Sequence, residues 1–536
     1  MAETTPPGSI RGIHLDFKYH LPNKAYLHDW VKRLPGYGIN ALLIEYEDAF
    51  PFKRYPFLAG PDAFTPEELR AFLDCARRAG LTLIPLVQTY AHLEFALCHE
   101  ELAPLRETPD ITVKICARKP AAVQLVRDLL EEVLAYHRED AYVHLGGDEA
   151  WHTGWCAACE ERIRQVGAMQ LWTDHEKPLI EWVVAQGKRP IIWDDIFWKD
   201  SKSIGRVGLP PETILHAWNY NITSMKPKAA DPADLELGGA GGVLQQVDDY
   251  RNAGFDVLAA PCYNVGQLFT RHTHSLKNTQ VWARKARASG MLGMLNTAWA
   301  VFHIPLQMLN LHVAATGELC RDPDAVLDEA WQERWLEHEF GGPAAGVPQA
   351  LEILGGTWEI PAPAYARPFT PLVYGYMNMV FHYPGRHKDR QRRGPYPHDW
   401  NEVDFTAMYR KGIEESLRYP ERDKMFRELD DRLAAFPAAV AAVKAMAAGA
   451  TRHRQEAEMM AIFADLKFTS LRVFGHLVRG DECAAALRRE CGRLEAPLRQ
   501  VLAYAWEPEG QRRMWRAFFE PMVNMLETGK ETHETV

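Results

Sequence analysis

Long apolar runs are absent from this sequence. No stretch reaches the ~18–20 consecutive apolar residues that a membrane-crossing helix needs, so no membrane span is expected. Positive charge is also in deficit: Lys and Arg number 61 against 71 Asp and Glu, a formal net charge of −10, which argues against a nucleic-acid partner. Residues 1–10 are polar and contain Pro6 and Pro7, without the apolar core of a secretory leader. A cytoplasmic location is therefore expected, although a secreted chain stripped of its leader would read the same. Cysteine is sparse, nine in 536 residues, which is too thin for a disulfide scaffold and suits reduced thiols. No fixed-period repeat is visible, which excludes solenoids and propellers. The chain is long for one domain, and a barrel with a second unit fits its size.

One stretch organises what is present: Tyr142-Val143-His144-Leu145-Gly146-Gly147-Asp148-Glu149-Ala150-Trp151. A short apolar run with strand propensity is stopped by two glycines, which admit a sharp turn and the close approach of a ligand. Two adjacent carboxylates follow at once. A parallel barrel delivers catalytic groups in this way at its C-terminal face. An isolated Asp-Glu pair more often marks a solvated turn, but strand-plus-polar-tip patterns recur along the chain.

Strands are expected at residues 11–17, 41–45, 81–87, 142–145, 190–193, 213–216, 256–259 and 291–295. Helices read at 26–34, from the Thr65 cap toward Gly80, and at 121–137, 173–186 and 277–288. Alternation through eight units predicts a (β/α)8 TIM barrel over residues 1–322. Residues 323–536 read as a mostly α-helical C-terminal domain packed on the barrel. Residues 341–371 are rich in Pro and Gly, and the helices following residue 402 carry apolar stripes that would also suit a homodimer. The Asp-, Gly- and Ala-rich segment 229–244 is expected to be mobile, and the basic run 386–393 is read as a solvated loop.

The tips of these strands carry the candidate chemistry. Trp193, Trp218 and Trp299 follow three different strands and are read as the walls of a sugar pocket. His144-x-Gly146-Gly147-Asp148-Glu149, with Leu43-Ile44-Glu45-Tyr46-Glu47-Asp48 and Pro85-Leu86-Val87-Gln88-Thr89-Tyr90-Ala91-His92, resembles family 20 glycoside hydrolases, the β-N-acetylhexosaminidases, in their hexosaminidase D-like branch. The resemblance covers about the first three fifths of the chain. It implies a retaining exo-enzyme that uses the substrate's acetamide as nucleophile, with Glu149 as general acid/base and Asp148 holding the acetamide. It also implies that Tyr263 meets the acetamide carbonyl and that His92 belongs to the site.

The family arginine after strand one is missing. Asp16, Lys18, Glu45 and Glu47 are the candidates to grip the sugar hydroxyls in its place, and Asp195 is placed with the substrate-binding residues. Glu45, Glu47, Asp194 and Asp195 are the rivals for a direct nucleophile.

The implied partner is a glycan or glycoconjugate with a terminal β-linked N-acetylhexosamine, and no cofactor is expected. His152, Cys156 and Cys159 are weak candidates for a metal; without an evident fourth ligand, idle thiols are the preferred reading. Two competing readings are a metal-dependent barrel hydrolase using His144, Asp148, His152 and the cysteines, and a catalytically silent glycan-binding barrel.

Overall fold

A closed ring of parallel strands positions everything else. The computed structural model describes residues 9–18, 20–109, 112–150, 153–224, 244–265, 268–299, 304–356 and 404–528. Its strands are β1 Ile10–Asp16, β2 Ala41–Glu45, β3 Thr82–Leu86, β4 Tyr142–His144, β5 Arg189–Trp193, β6 Ile214–Trp218, β7 Asp256–Ala260, β8 Cys262–Val265 and β9 Gly293–Trp299. Hydrogen bonding runs from β1 to β7 in order, passes to β9, and returns from β9 to β1, with Ile10 opposite Gly293. Eight staves thus close a TIM-type barrel. β8 is not a stave: it pairs only with the far end of β9, Val265 lying opposite Trp299.

β9 runs four residues beyond the expected end, because its polar residues find partners inside the structure. The Asn296 amide donates to Thr279 Oγ1 at 3.0 Å and to Thr316 Oγ1 at 2.8 Å, and the Thr297 hydroxyl donates to the Pro261 carbonyl at 2.8 Å. With those groups satisfied, burying polar residues in a strand costs little.

The seam of the barrel is tight. A Cβ on Gly293 would sit 2.1 Å from the Ile10 carbonyl oxygen, and one on Gly12 would sit 2.0 Å from Leu295 Cδ2. Outside the ring, helix Asn310–Arg321 brings Gly317 so close to Tyr37 that a Cβ would lie 1.8 Å from its carbonyl oxygen.

The helical layer follows from its sequence signals. Thr65 caps helix Pro66–Arg78 and Glu68 reciprocates, a complete capping box, and Leu69, Phe72, Leu73 and Ala76 recur at helical spacing to meet the barrel. The barrel interior is filled by Ala41, Leu43, Ile84, Leu86, Ile191 and their neighbours, with Trp193 uppermost among them.

Beyond the barrel the chain is helical: Glu329–Phe340, Val347–Gly355, Phe405–Leu417, Arg422–Gly449, Arg454–Arg479, Ala484–Ala505, Pro508–Met514 and Glu520–Thr528. Val347–Gly355 forms a helix within the Pro- and Gly-rich segment 341–371. Pro348 sits in its first turn, where its missing N–H costs nothing, and Ala350, Leu351 and Leu354 bury its inner face. The helices are stitched to the barrel by polar contacts as well as apolar ones. Arg33 pairs with Glu339 and Glu456, the Asn310 amide donates to Glu456 at 2.9 Å, and the Asn23 N–H donates to the Ala505 carbonyl at 2.9 Å.

By length and composition Arg422–Gly449 is apolar enough to cross a membrane, which a search for unbroken apolar runs passes over because its charges are spaced. Its buried side is spent within the protein: Met425, Leu429, Phe436 and Val443 share one core cluster with Met460 and Phe463. Segment 229–243 and the basic run 386–393 lie outside the described residues.

Candidate active site

Backbone strain gathers at the C-terminal mouth of the barrel. Glu47, His92 and Glu149 all adopt positive φ, at 45°, 58° and 52°, just after β2, β3 and β4. A non-glycine residue in the left-handed region costs on the order of 1 kcal/mol and persists only where surrounding structure holds it there.

The loop after β4 explains how Asp148 and Glu149 are aimed. Gly146 has φ +65°, a conformation that strains any side chain, and a Cβ there would lie 2.0 Å from Gln88 Oε1 and force that amide to move. The Gly147 carbonyl accepts from Trp172 Nε1 at 2.9 Å, and the Glu149 N–H donates to Asp195 Oδ2 at 2.8 Å.

His92 then ties the carboxylates together. Its Nε2 lies 3.2 Å from Asp148 Oδ2 and 3.3 Å from Glu149 Oε2. Burial opposes a charge on this ring, but the Asp148 and Glu149 carboxylates outweigh it and hold the imidazole well above its ordinary range. Asp148 Oδ1, buried, has no hydrogen-bond partner among the described residues.

Behind this pair stands a carboxyl that sequence reasoning missed. Glu176, from helix Ala168–Ala185, is fully buried. The Thr89 hydroxyl lies 2.5 Å from the Leu145 carbonyl and 2.7 Å from Glu176 Oε1. It has one hydrogen, and the carbonyl can only accept, so both contacts are satisfied when Glu176 is the protonated acid and donates to Thr89. Burial pushes Glu176 in the same direction, to about 8, opposed by the Thr89 contact and reinforced by the charge of Asp148. The sequence signal was faint: one Glu on the apolar side of a helical run.

A second polar cluster lies beneath β1 and β2. Lys18 Nζ lies 2.8 Å from Glu47 Oε1, with both groups buried, and Glu94 adds its charge nearby. Glu45 accepts from the Gln88 amide at 2.9 Å and lies 3.2 Å from His14 Nε2. Burial disfavours its charge, but the His14 contact and Lys18 hold it down at about 2. Asp16 is pushed up to about 6 by burial and by the Glu45 charge. Lys18 is thus a buried cation just after β1, already paired with Glu47.

The aromatic residues divide into floor and walls. Trp193 is 1% exposed, stacked on His216 at 4.3 Å and 4.6 Å from His144, so it is a floor rather than a side wall. Trp218 and Trp299 are half-buried, and both meet Tyr220: Trp218 by ring contact at 4.9 Å, Trp299 by donating its Nε1–H to the phenol oxygen at 2.9 Å. The Tyr220 phenol is held well above its usual range by desolvation first, with the charge of Asp148 among the further causes.

Tyr263 is not brought to this group. It points from β8 into the layer between barrel and helices, with its ring 6.4 Å from His312. Alternation decides this, since its neighbour Cys262 faces the Tyr220 side of the same short strand. Tyr220 occupies the mouth instead.

The two aspartates at the tip of β5 also part company. Asp195 is buried near Asp148, and burial, reinforced by the Asp148 charge, raises it well above the ordinary carboxyl range. Asp194 turns outward, accepting from the Trp218 N–H at 3.2 Å and from the Tyr250 hydroxyl at 3.3 Å, and burial raises it to about 7.

His144 is spent inside the barrel. Its Nδ1 accepts from the Gly146 N–H at 3.0 Å, its Nε2 donates to His216 Nδ1 at 3.2 Å, and His216 Nε2 donates onward to the Leu295 carbonyl at 3.2 Å. Both rings are kept neutral, chiefly by burial. This removes His144 from the metal-dependent reading. His152 lies outside the described residues. Cys156 and Cys159 instead meet a third thiol, Cys116, with sulfurs 3.6 and 3.7 Å from it.

Comparison with known proteins gives consistent relatives. The model of "Glycosyl hydrolase family 20, catalytic domain" matches residues 10–233. Hexosaminidase D of Bos taurus is 30% identical over 306 residues, which cover 54% of this chain and 84% of that protein. Hexosaminidase D of Homo sapiens is 29% identical over 308 residues, covering 55% of this chain and 60% of the human protein. Among solved structures, a β-N-acetylhexosaminidase from Bacteroides fragilis aligns with a TM-score of 0.49 at 18% identity, over 62% of this chain and 70% of that one.

Proposed function

The chain belongs to glycosyl hydrolase family 20 and is a β-N-acetylhexosaminidase of that family, and from this premise we propose that it releases terminal β-linked GlcNAc or GalNAc with retention, using the substrate's own acetamide as nucleophile. One observation carries the reading: a single imidazole nitrogen, His92 Nε2, meets both Asp148 Oδ2 and Glu149 Oε2, while the buried Asp148 Oδ1 is left as an acceptor. An acceptor beside the acid is what an acetamide N–H requires.

The chemistry follows from those positions. Asp148 takes the acetamide N–H and turns its carbonyl oxygen toward the anomeric carbon. Glu149 gives its proton to the leaving oxygen as that bond breaks, and the carbonyl oxygen closes an oxazolinium ring. Glu149, now a carboxylate, removes a proton from water, which opens the ring at the same carbon and restores the original configuration. Asp148 balances the positive charge of the ring while it exists. An internal nucleophile held in place removes much of the entropic barrier.

Tyr220 is the phenol suited to the acetamide carbonyl, between the walls formed by Trp218 and Trp299 over the Trp193 floor. Asp16, Lys18 and Glu47, with Glu45 behind them, form the polar side suited to sugar hydroxyls. The full partner in this reading is a glycan or glycoconjugate, met in the cytoplasm; nine cysteines, all free, support that location. The reading includes self-association through the helical region, which light scattering would measure.

Aryl β-GlcNAc, β-GalNAc and β-glucoside compared side by side test the mechanism. Cleavage of the acetamido substrates, strong inhibition by a thiazoline mimic of the ring and near-inertness of the glucoside are expected. Efficient glucoside cleavage, or a glycosyl ester trapped on Glu45, Glu47, Asp194 or Asp195, would overturn it.

A further inference from the structure

Three thiols converge where the long excursion after β3 meets the chain that follows Asp148-Glu149. Cys116 closes that excursion, Cys156 ends the loop that begins with Gly146, and Cys159 stands in the first turn of the helix Ala157–Val166. Cys116 Sγ lies 3.6 Å from Cys156 Sγ and 3.7 Å from Cys159 Sγ, and all three sulfurs fall within 4.8 Å of one another. Zinc binds thiolate at about 2.3 Å in a tetrahedron, which sets neighbouring sulfurs about 3.8 Å apart. The observed spacings match that edge. Among the described residues no fourth His, Cys, Asp or Glu joins the group.

Cys156 caps helix Ala157–Val166, and its sulfur accepts the Cys159 N–H at 3.4 Å. Lys114 adds a buried cation, its Nζ 3.7 Å from the Trp155 ring centroid and 3.1 Å from Glu107 Oε2. Idle thiols would need neither converging sulfurs nor these donors.

We propose that Cys116, Cys156 and Cys159 bind a zinc-class divalent cation through three thiolates, as a structural clasp between the chain segments that follow His92 and Asp148-Glu149. The loops already touch here. The Tyr90 hydroxyl donates to Thr153 at 3.1 Å, and Glu107 accepts the Gly154 and Trp155 N–H groups at 2.9 Å each. A metal at the thiols fixes both loops at a further point and takes no part in the hydrolysis. Binding releases the thiol protons and leaves a site of net charge −1.

The test uses the full-length protein, purified under reducing conditions. Elemental analysis after dialysis should find about one zinc per chain, and the triple variant C116S/C156S/C159S should retain almost none. Chelator-stripped wild type titrated with cobalt should develop sulfur-to-cobalt charge-transfer absorption with tetrahedral d–d bands, and zinc should raise its thermal midpoint. That titration needs no variant to fold. Failure of stripped wild type to bind zinc or cobalt beyond the level of the triple variant, or a native disulfide among these cysteines by alkylation and mass spectrometry, would overturn the proposal. Neither outcome depends on substrate, so the hydrolase reading stands or falls separately.

Discussion

Glu149 and Asp195 are joined through the backbone. The Glu149 N–H donates to Asp195 Oδ2 at 2.8 Å while Glu149 holds φ at 52°, so a carboxyl from the end of β5 keeps the residue after the β4 turn in a conformation it would not choose alone. Asp195→Ala removes that acceptor, whereas Asp195→Asn keeps an oxygen there. A hydrogen bond at such a site is worth roughly 1–3 kcal/mol, so kcat/KM should fall about 10–100-fold in the alanine variant. Steady-state kinetics should show a clearly smaller loss for Asn; equal losses would mean that the charge of Asp195, not its acceptor, is what counts.

Glu149→Gln should depend on the leaving group. An acid matters most where the departing oxygen is basic, and a general acid contributes ~10²–10⁴-fold. Alkyl or sugar leaving groups should suffer losses of that size, and activated nitrophenolates far smaller ones. A flat response across a series of aryl substrates would remove Glu149 from the acid role.

The two tyrosines give opposite expectations. Tyr220→Phe should weaken turnover of acetamido substrates about tenfold or more, the worth of one hydrogen bond made in the transition state. Tyr263→Phe, in the helix-facing layer, should leave kcat/KM near wild type. The reverse ranking would return the role to Tyr263.

Glu176 gives a pH expectation of definite sign. Burial raises this group to about 8, so between about pH 4.5 and 8 the folded chain holds a proton that the unfolded chain has released. The stability contributed by the neutral acid is present at low pH and is lost as pH rises through that window, by at most roughly 1 kcal/mol per pH unit. Glu176→Gln keeps a donor toward Thr89 and removes the titration. Thermal unfolding should show the variant gaining on wild type from pH 5 to pH 8, and parallel curves would mean that Glu176 is ionised throughout.

Truncation after Asp322 should give insoluble or inactive protein. It would strip cover from Leu268, Phe269 and Leu311, which belong to the same apolar cluster as the C-terminal helices, and leave Arg33 without Glu339 and Glu456. A soluble, fully active fragment in a sedimentation and activity assay would mark residue 322 as the end of an independent unit.

Much of this was legible from period and punctuation. Strand alternation, glycine stops and the Thr65 cap identify the barrel, because those signals are local to each element. The Asp148-Glu149 pair was legible because both groups sit on one turn. What was not legible depends on neighbours far away in the chain. Cys116 stands 40 residues before Cys156, Glu176 looks like one more polar residue of a helix, and which way Tyr263 faces depends on the side-chain alternation of β8.

The closed seam described for Gly12 and Gly293, and the contact of Gly317 with Tyr37, bear on how a saturation-mutagenesis map of this protein should be interpreted. Any side chain at these positions would drive a carbon to about 2 Å from a backbone oxygen or a leucine methyl. Such a map, scored on turnover, would rank them beside Asp148 and Glu149, and a ranking alone would mistake three steric positions for chemical ones. Scoring protein abundance in the same library separates the classes: glycine variants should vanish from both readouts, and carboxylate variants from turnover alone.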